Sequence, residues 1–153
     1  MTTLSKLFAE QRSSVVDWEG TPTFGVIEFS EAPKLLRLTF LEGRDSPPQG
    51  IVLKVRRGFL LINGHKARDM VLWRDTAPPT VVIELQAPRT GNPELKLWNV
   101  WRGGLDITQA WLGNAGMQVD GDLGSRAFRL RCSDGDGDDE PDFTDLIVSI
   151  ETE

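Results

Sequence analysis

The sequence predicts an all-β protein, a single antiparallel β-sandwich domain of jelly-roll-like form over residues 1–153, with a short helix at its N-terminus. Three observations support this prediction. About ten short stretches carry apolar residues at period two, and they recur every 8 to 12 residues or so, as in sandwiches and barrels. Gly and Pro separate these stretches. A chain of 153 residues is long enough to bury a sizeable core in one domain.

The first predicted element is a helix over residues 3–12. Leu4, Leu7 and Phe8 follow the i, i+3, i+4 spacing of an amphipathic helix, and Thr2 or Thr3 can serve as its N-cap. After residue 12 the apolar period changes to two, which predicts strands.

The predicted strands follow in chain order. The first two, at 23–29 and 34–41, are joined by a turn, and the Pro- and Gly-rich stretch 43–50 is a loop. The Asn63-Gly64 dipeptide predicts a hairpin. Residues 106–112 fit either a helical turn or a strand. The remaining predicted strands lie at 51–55, 58–62, 69–73, 80–85, 94–102, 117–119, 126–131 and 146–150.

Residues 133–145, between the last two predicted strands, carry the acidic excess of the whole chain. This segment has seven carboxylates and no basic residue, so the rest of a chain with net charge −6 has a charge of about +1. Crowded carboxylates repel one another unless a cation compensates them. Alternating Asp and Gly offer the oxygen ligands that Ca²⁺ prefers. We therefore expect a calcium site in this segment.

The expected calcium ligands are mostly carboxylates at every second position of this segment. An EF-hand is excluded, because Asp139 stands where the sharp turn needs Gly and the flanks are predicted strands. A solvated acidic hairpin without any ligand remains the alternative. The expected ligands are Asp134, Asp136, Asp138, Glu140, Asp142 and Asp145.

A family resemblance points to the same segment. Residues 142–148, DFTDLIV, resemble the Asp-aromatic-Asn-Asp run and following strand of the calcium-dependent fucose- and mannose-binding lectins of bacteria. Residues 24–26, FGV, together with Phe29 are similar to another strand of that family. In those lectins an acidic loop holds two calcium ions, which bind sugar hydroxyls directly.

The resemblance implies particular ligands and a carbohydrate partner. Asp142 and Asp145 would bind the metal, with Asp138 or Glu140 as a third ligand. Thr144 stands where the family has an Asn ligand.

The aromatic composition is unusual, with five Trp and no Tyr in the chain. Trp98 and Trp101, with Arg102 beside them, are candidates for a stacking platform under a sugar ring or an anchor for a protein partner. The two indoles have opposite parity in their strand, so at least one should point into the core. Packing of both in the core is the alternative.

Composition argues against several functions. A pI near 4.8 disfavours nucleic-acid binding, which needs a basic face. No stretch approaches the roughly 20 apolar residues of a membrane span, and the N-terminus lacks the apolar core of a signal peptide. A single cysteine, Cys132, fits a reducing compartment, so we expect a cytoplasmic protein. Cys132 is expected to be a buried structural residue and the one histidine, His65, an exposed turn residue; a nucleophilic dyad is the alternative.

Three functions follow from these patterns. The leading prediction is a non-enzymatic binding module with a calcium-coordinating acidic loop, in which the ion either fixes the shape of the loop or bridges to a ligand such as a carbohydrate. The second is an intracellular protein-interaction module, of inhibitor or immunity type, whose acidic loop docks on a basic partner. The third is a hydrolase, since a catalytic carboxylate pair is recognised only by its separation in space. Its candidate carboxylates are Glu28, Glu84, Glu94 and Asp106.

Overall fold

The computed structural model of this protein describes residues 2–88, 90–137 and 139–153. Within these ranges the chain forms two antiparallel sheets, packed around a common apolar core, and one short N-terminal helix. The predicted all-β sandwich with an N-terminal helix is confirmed. In chain order the elements are α1 (Leu4–Gln11), β1 (Val15–Trp18), β2 (Thr21–Phe24), β3 (Ile27–Phe29), β4 (Leu35–Gly43), β5 (Gln49–Arg56), β6 (Phe59–Ile62), β7 (His65–Ala67), β8 (Asp69–Trp73), β9 (Thr80–Gln86), β10 (Glu94–Arg102), β11 (Thr108–Gln109), β12 (Gly116–Asp120), β13 (Ala127–Ser133) and β14 (Leu146–Thr152).

Helix α1 begins and ends close to its predicted limits. Thr3 is the N-cap, because its side-chain oxygen accepts the backbone N–H of Lys6, and Arg12 ends the helix in the left-handed region. Leu4 is completely buried, and its N–H donates to Oδ1 of Asn114 over 3.0 Å. No helix in the described part of the chain has the length and apolar character needed to cross a membrane.

The strands divide unevenly between the two sheets. Among the described residues, the larger sheet has the order β1-β2-β12-β13-β14-β4-β9-β6-β7. The smaller sheet has the order β11-β10-β5-β8, and β3 also pairs with β10. The Asn63-Gly64 turn joins β6 and β7, with both residues at positive φ, so the predicted hairpin is confirmed.

The predicted strand 23–29 is in fact two strands in different sheets. Strand β2 joins the larger sheet and β3 the smaller one. The break occurs at Gly25, whose N–H donates to the carbonyl of Ser14 and whose carbonyl accepts the indole N–H of Trp111. The bond to Ser14 continues the β1–β2 register, whereas the bond from the Trp111 side chain takes the place of a strand partner at the Gly25 carbonyl. Strand β1 was not predicted, and the ambiguous stretch 106–112 contains the two-residue strand β11.

The core lies between the two sheets and follows the alternation of their strands. In β10, Leu95 and Leu97 are fully buried while Lys96 between them is exposed, and β9 alternates in the same way. The inner face of each sheet is thus apolar, and the outer face of the smaller sheet is free to carry polar and aromatic groups. Strand β5 runs along this sheet, with Gln49 and Arg56 at opposite ends, roughly 24 Å apart at the rise of an extended strand.

Candidate functional site

Residues 133–145, the acidic loop, connect β13 to β14, whose ladder ends at the pair Cys132 and Leu146. The predicted position of this loop between two strands is confirmed. Its two ends differ from its middle, because Asp134 and Asp145 are buried. Asp138 lies outside the described residues. The exposed carboxylates are Asp136, Asp139, Glu140 and Asp142.

Asp134 is surrounded by hydrogen-bond donors of the protein. Gln49 Nε2 donates to Asp134 Oδ2 over 2.7 Å, and Arg44 Nη1 lies 3.4 Å from the same oxygen. The backbone N–H of Asp136 donates to Oδ1 over 3.0 Å. The Gln49 amide is buried and also donates to the carbonyl of Pro47. The protein thus replaces the water that Asp134 loses on burial.

Asp145 lies beside Asp134 and shares its cation. Asp145 Oδ2 accepts the backbone N–H of Asp134 over 3.0 Å, and Oδ1 lies 3.8 Å from Arg44 Nη1. Among the described residues, Arg44 is the one cation paired with either carboxylate, and its side chain is 44% exposed. Burial raises the pKa of Asp145 to about 6 and also raises the pKa of Asp134, because it penalises the charged form.

Asp142 is exposed and folds back on the loop. Its Oδ1 accepts both the side-chain hydroxyl and the backbone N–H of Thr144, over 2.6 and 3.0 Å, and these bonds lower the pKa of Asp142. The N–H of Asp142 donates to the hydroxyl of Ser133. One oxygen of this expected metal ligand is therefore used in an internal turn.

The described residues do not form a metal-ligand cluster. Within 2–88, 90–137 and 139–153, no group of three Asp, Glu, His or Cys side chains converges in a way that could hold an ion. The same region nevertheless contains Gln49 Oε1, a buried oxygen that has no hydrogen-bond partner among the described residues. Calcium binding by the acidic loop stays a prediction.

A second loop, residues 103–114, packs against the acidic loop and leads from β10 through β11 towards β12. Asn114 Nδ2 donates to the carbonyl of Asp139 over 2.8 Å. A side chain at Gly135 would collide with the carbonyl of Leu112, so the two backbones touch where only glycine fits. This second loop also carries exposed apolar groups, of which Leu105 is 93% exposed at a φ of 62°.

Trp111 in this second loop stands next to Trp98 of β10. The two ring centroids are 5.0 Å apart with the planes inclined by 35°. Trp111 has a φ of 58°, which costs a residue other than glycine about 1 kcal/mol. Its indole N–H donates to the carbonyl of Gly25 over 2.9 Å, and the ring is 47% exposed. The Gly25 carbonyl, just before β3, and the Trp98 ring on β10 thus hold a large aromatic side chain at the surface.

The strand register places Trp98 among charged groups on the outer face of the smaller sheet. Trp98 lies opposite Val52 of β5. Two residues earlier, Lys96 lies opposite Lys54 of β5 on one side and Glu28 of β3 on the other. Because side chains two residues apart share a face, Lys96 and Trp98 point away from the core together.

These side chains border a surface cavity of about 290 Å³, the aromatic groove. Three cations and one carboxylate line it, although the whole protein has a net charge of −6. It combines apolar walls with a few convergent polar groups, as small-molecule sites do. The groove is lined by Val26, Lys54, Arg56, Glu94, Lys96, Trp98 and Trp111.

The other two residues expected to contact a ligand differ from Trp98. Trp101 is completely buried, with its indole N–H donating to Gln109 Oε1 over 3.0 Å, so its expected role as a surface contact is corrected. Trp101 has the same parity in β10 as the buried Leu95 and Leu97, so its side chain points into the core. This agrees with the prediction that at least one of the two tryptophans does so. Arg102 stacks 4.3 Å above the ring of Trp73 and pairs with Asp75 at 3.2 Å. Arg102 is therefore engaged within the protein.

The remaining candidates do not assemble into a nucleophilic site. Cys132 is completely buried, and burial raises the pKa of its thiol. His65 is exposed on β7 in the larger sheet. Of the carboxylates considered for a hydrolase, Glu28 pairs with Lys96 at 3.6 Å, and Glu84 lies on β9 in the other sheet.

Sequence reasoning missed Trp111, Lys54 and Lys96. The alternation in residues 94–102 places Lys96 and Trp98 on one face, so the sequence could have predicted that these two side chains lie together. Trp111, however, reaches this face from a loop with irregular backbone, and no periodic pattern predicts that. The register that brings Lys54 opposite Lys96 joins segments about 40 residues apart and is set by the whole sheet.

No protein-family model, no curated protein and no solved structure matches this chain. The resemblance to the calcium-dependent lectins therefore stays a prediction based on residues 24–29 and 142–148.

Proposed function

We propose that this protein is a carbohydrate-binding module and that the aromatic groove is its binding surface. The observation that carries the proposal is the pairing of Trp98 and Trp111 at 5.0 Å, both open to a groove that also contains Glu94 and three cations. The face of a sugar ring presents apolar C–H groups, and its rim presents hydroxyls. An indole face attracts the former, because its π-system is negative, and charged side chains bond the latter.

The backbone of Trp111 supports the same proposal. A tryptophan at a φ of 58° is strained, and the sandwich core does not need this residue, since its ring is 47% exposed. Strained backbone conformations cluster at binding and active sites. The bond from its indole N–H to Gly25 fixes the ring in the position next to Trp98.

The test is a calorimetric titration with a panel of neutral and acidic oligosaccharides. We expect at least one of them to bind, and we expect Trp98→Ala and Trp111→Ala each to weaken that binding about tenfold or more, as the loss of a stacking aromatic does. Trp18→Ala is the matched control, because Trp18 lies on β1 of the larger sheet. Trp111→Phe keeps a ring and loses the bond to Gly25, so it should give an intermediate affinity.

The proposal fails if no oligosaccharide of the panel binds, or if the variants at Trp98 and Trp111 bind like the control. The melting temperature of each variant separates lost binding from lost folding.

A second proposal, calcium binding by the acidic loop, is favoured by one observation. Gln49 Oε1 is a buried acceptor without a partner among the described residues, next to two buried carboxylates that share Arg44. A dication would satisfy this oxygen and replace the partly exposed guanidinium. The ligands would come from Asp134, Asp136, Asp138, Glu140, Asp142 and Asp145.

Calcium titration of the metal-free protein tests this second proposal. Binding should release heat and raise the free energy of unfolding by about 2.7 kcal/mol at a calcium concentration of 100 Kd. The double variant Asp142→Asn, Asp145→Asn should lose the effect. The absence of binding at millimolar calcium, or a double variant that binds normally, would contradict it.

A further inference from the structure

The aromatic groove continues into a strongly basic cleft. The basic cleft, a cavity of about 460 Å³, shares Lys54 and Arg56 with the groove. Beyond them it is lined by Arg57, Arg68 and Phe59. The Arg68 guanidinium lies 5.5 Å from the centre of the Phe59 ring, and Lys66 lies 5.6 Å from the same ring. Aromatic and cationic groups thus extend beyond Trp98 along one side of the molecule.

Two of the cations on this surface, Lys54 and Arg56, form no ion pair within the described residues. Lys54 and Lys96 lie directly opposite each other in the β5–β10 ladder, an arrangement that is destabilising for like charges. Glu28 compensates Lys96 at 3.6 Å. Asp69 and Glu94 lie opposite Lys54 and Arg56 in the strand register but not at ion-pair distance, so an anionic ligand would supply closer partners.

The groove also contains acceptors that a purely anionic ligand would leave unsatisfied. Glu94 lines it, Glu28 flanks Lys96, and Asp69 of β8 lies opposite Lys54. Lysine and arginine only donate hydrogen bonds, and ionised carboxylates only accept them. The matching ligand therefore combines acidic groups with hydroxyl donors. A nucleic acid supplies phosphates but few donors along its backbone, and the net charge of −6 repels so dense a polyanion.

We propose that the natural ligand is a carboxylated oligosaccharide, a chain of uronic-acid type, that stacks on Trp98 and Trp111 and places its carboxylates against Lys54, Arg56 and the basic cleft. This inference rests on the proposed function, since it names the class of sugar that the aromatic groove takes. The tryptophans provide affinity for the sugar ring, and the cations provide selectivity for an acidic oligosaccharide over a neutral one.

The experiment compares two probes with the same sugar backbone, one with ionised carboxylates and one with neutral methyl esters. A pentasaccharide of galacturonic acid and its fully methyl-esterified form are titrated into the protein in a buffer with chelator, so that calcium cannot bridge sugar and acidic loop. We expect the acid to bind about tenfold more tightly than the ester at low salt, as for a few exposed charge contacts. The difference should largely vanish in 0.5 M salt, where the Debye length falls to roughly 4 Å.

Paired variants assign the selectivity to the groove. Lys54→Gln with Arg56→Gln should weaken binding of the acid about tenfold more than it weakens binding of the ester. The matched control is Arg126→Gln with Arg129→Gln, which removes the same charge from exposed positions at the start of β13 in the larger sheet. The control should bind both probes as the unchanged protein does.

The outcomes separate this inference from the proposed function. Equal binding of acid and ester, or a Lys54, Arg56 variant that behaves like the control, would overturn the acidic-chain inference and leave the carbohydrate proposal standing. If no neutral or acidic sugar binds at all, both fail together. Tighter binding of an oligodeoxythymidylate than of the galacturonate would overturn the inference in favour of a nucleic-acid ligand.

Discussion

The two ends of β5 differ in how the protein treats its charges. At the Gln49 end, the buried carboxylates Asp134 and Asp145 accept hydrogen bonds from donors that the chain itself supplies. At the Arg56 end, the cations of the aromatic groove are exposed, and within the described residues Lys54 and Arg56 lack an internal ion-pair partner. Charges that are satisfied inside the fold contribute to structure, whereas charges left open beside aromatic rings are available to a ligand.

The sequence by itself would suggest the opposite assignment, with the acidic loop as the binding surface. Seven carboxylates in thirteen consecutive residues are conspicuous, yet two of them are tied to Arg44 and Gln49 far away in the chain. The cations Lys54, Arg56 and Lys96 are unremarkable in the sequence and meet only through strand pairing. Local charge density is thus a weaker guide to a binding surface than uncompensated charge in the folded chain.

The largest expected effect tests whether the Gln49 end is structural. Gln49→Leu removes the closest donor to Asp134 and leaves a buried carboxylate short of a hydrogen bond, so we expect a loss of about 2–3 kcal/mol in the free energy of unfolding. Lys54→Gln at the other end should change it by less than about 0.5 kcal/mol. Urea unfolding of both variants measures the two losses of free energy. Equal losses would contradict the assignment of a structural role to the Gln49 end alone.

The second effect is a dependence of stability on pH that comes from Asp145. Its folded pKa of about 6 lies above that of an unfolded Asp, so the folded state binds a proton more tightly than the unfolded state between these values. Stability should therefore rise as the pH falls from 7 to 5, by about 1 kcal/mol. Urea unfolding in calcium-free buffer at pH 5, 6 and 7 measures this rise.

The control for the pH prediction is Asp145→Asn, which cannot titrate and keeps an oxygen to accept the N–H of Asp134. Its stability should vary less between pH 7 and pH 5. An unchanged slope in this variant would mean that another group is responsible.

The smallest effect concerns the loop 103–114, which touches the acidic loop and supplies Trp111 to the groove. Leu105 is 93% exposed at a φ of 62°, so its side chain contributes little packing while its backbone is strained. Leu105→Gly should stabilise the protein by about 0.5 kcal/mol, because glycine adopts this conformation without steric cost. Leu105→Ala keeps the Cβ and should give no such gain. Thermal unfolding of the two variants decides the point.

The parts of the fold that depend on local chemistry could be predicted from the sequence. The helix at Leu4–Gln11 has its Thr3 cap and its apolar spacing in adjacent residues, and the hairpin at Asn63-Gly64 follows from two residues that tolerate positive φ. The opposite parity of Trp98 and Trp101 also showed that one must be buried. Which one is buried depends on which face of β10 meets the larger sheet. The packing of the two sheets decides this, and the sequence of β10 alone does not.

The parts that could not be predicted depend on distant contacts. Arg44 and Asp134 are 90 residues apart, so a count of carboxylates in the loop could not include the guanidinium that compensates them. Residues 23–29 divide between two sheets where the Gly25 carbonyl accepts the indole N–H of Trp111, a residue 86 positions away. Hydrophobic alternation predicts a strand, but it does not predict where the chain leaves one sheet for the other.

The most direct test of the central claim is a titration of the ¹⁵N-labelled protein with the galacturonate pentasaccharide, followed by two-dimensional NMR in the presence of chelator. We expect the indole N–H signals of Trp98 and Trp111 and the backbone amides of Lys54 and Lys96 to shift, while those of residues 133–145 stay in place. Shifts confined to the acidic loop, or the absence of any shift at the two indoles, would contradict it.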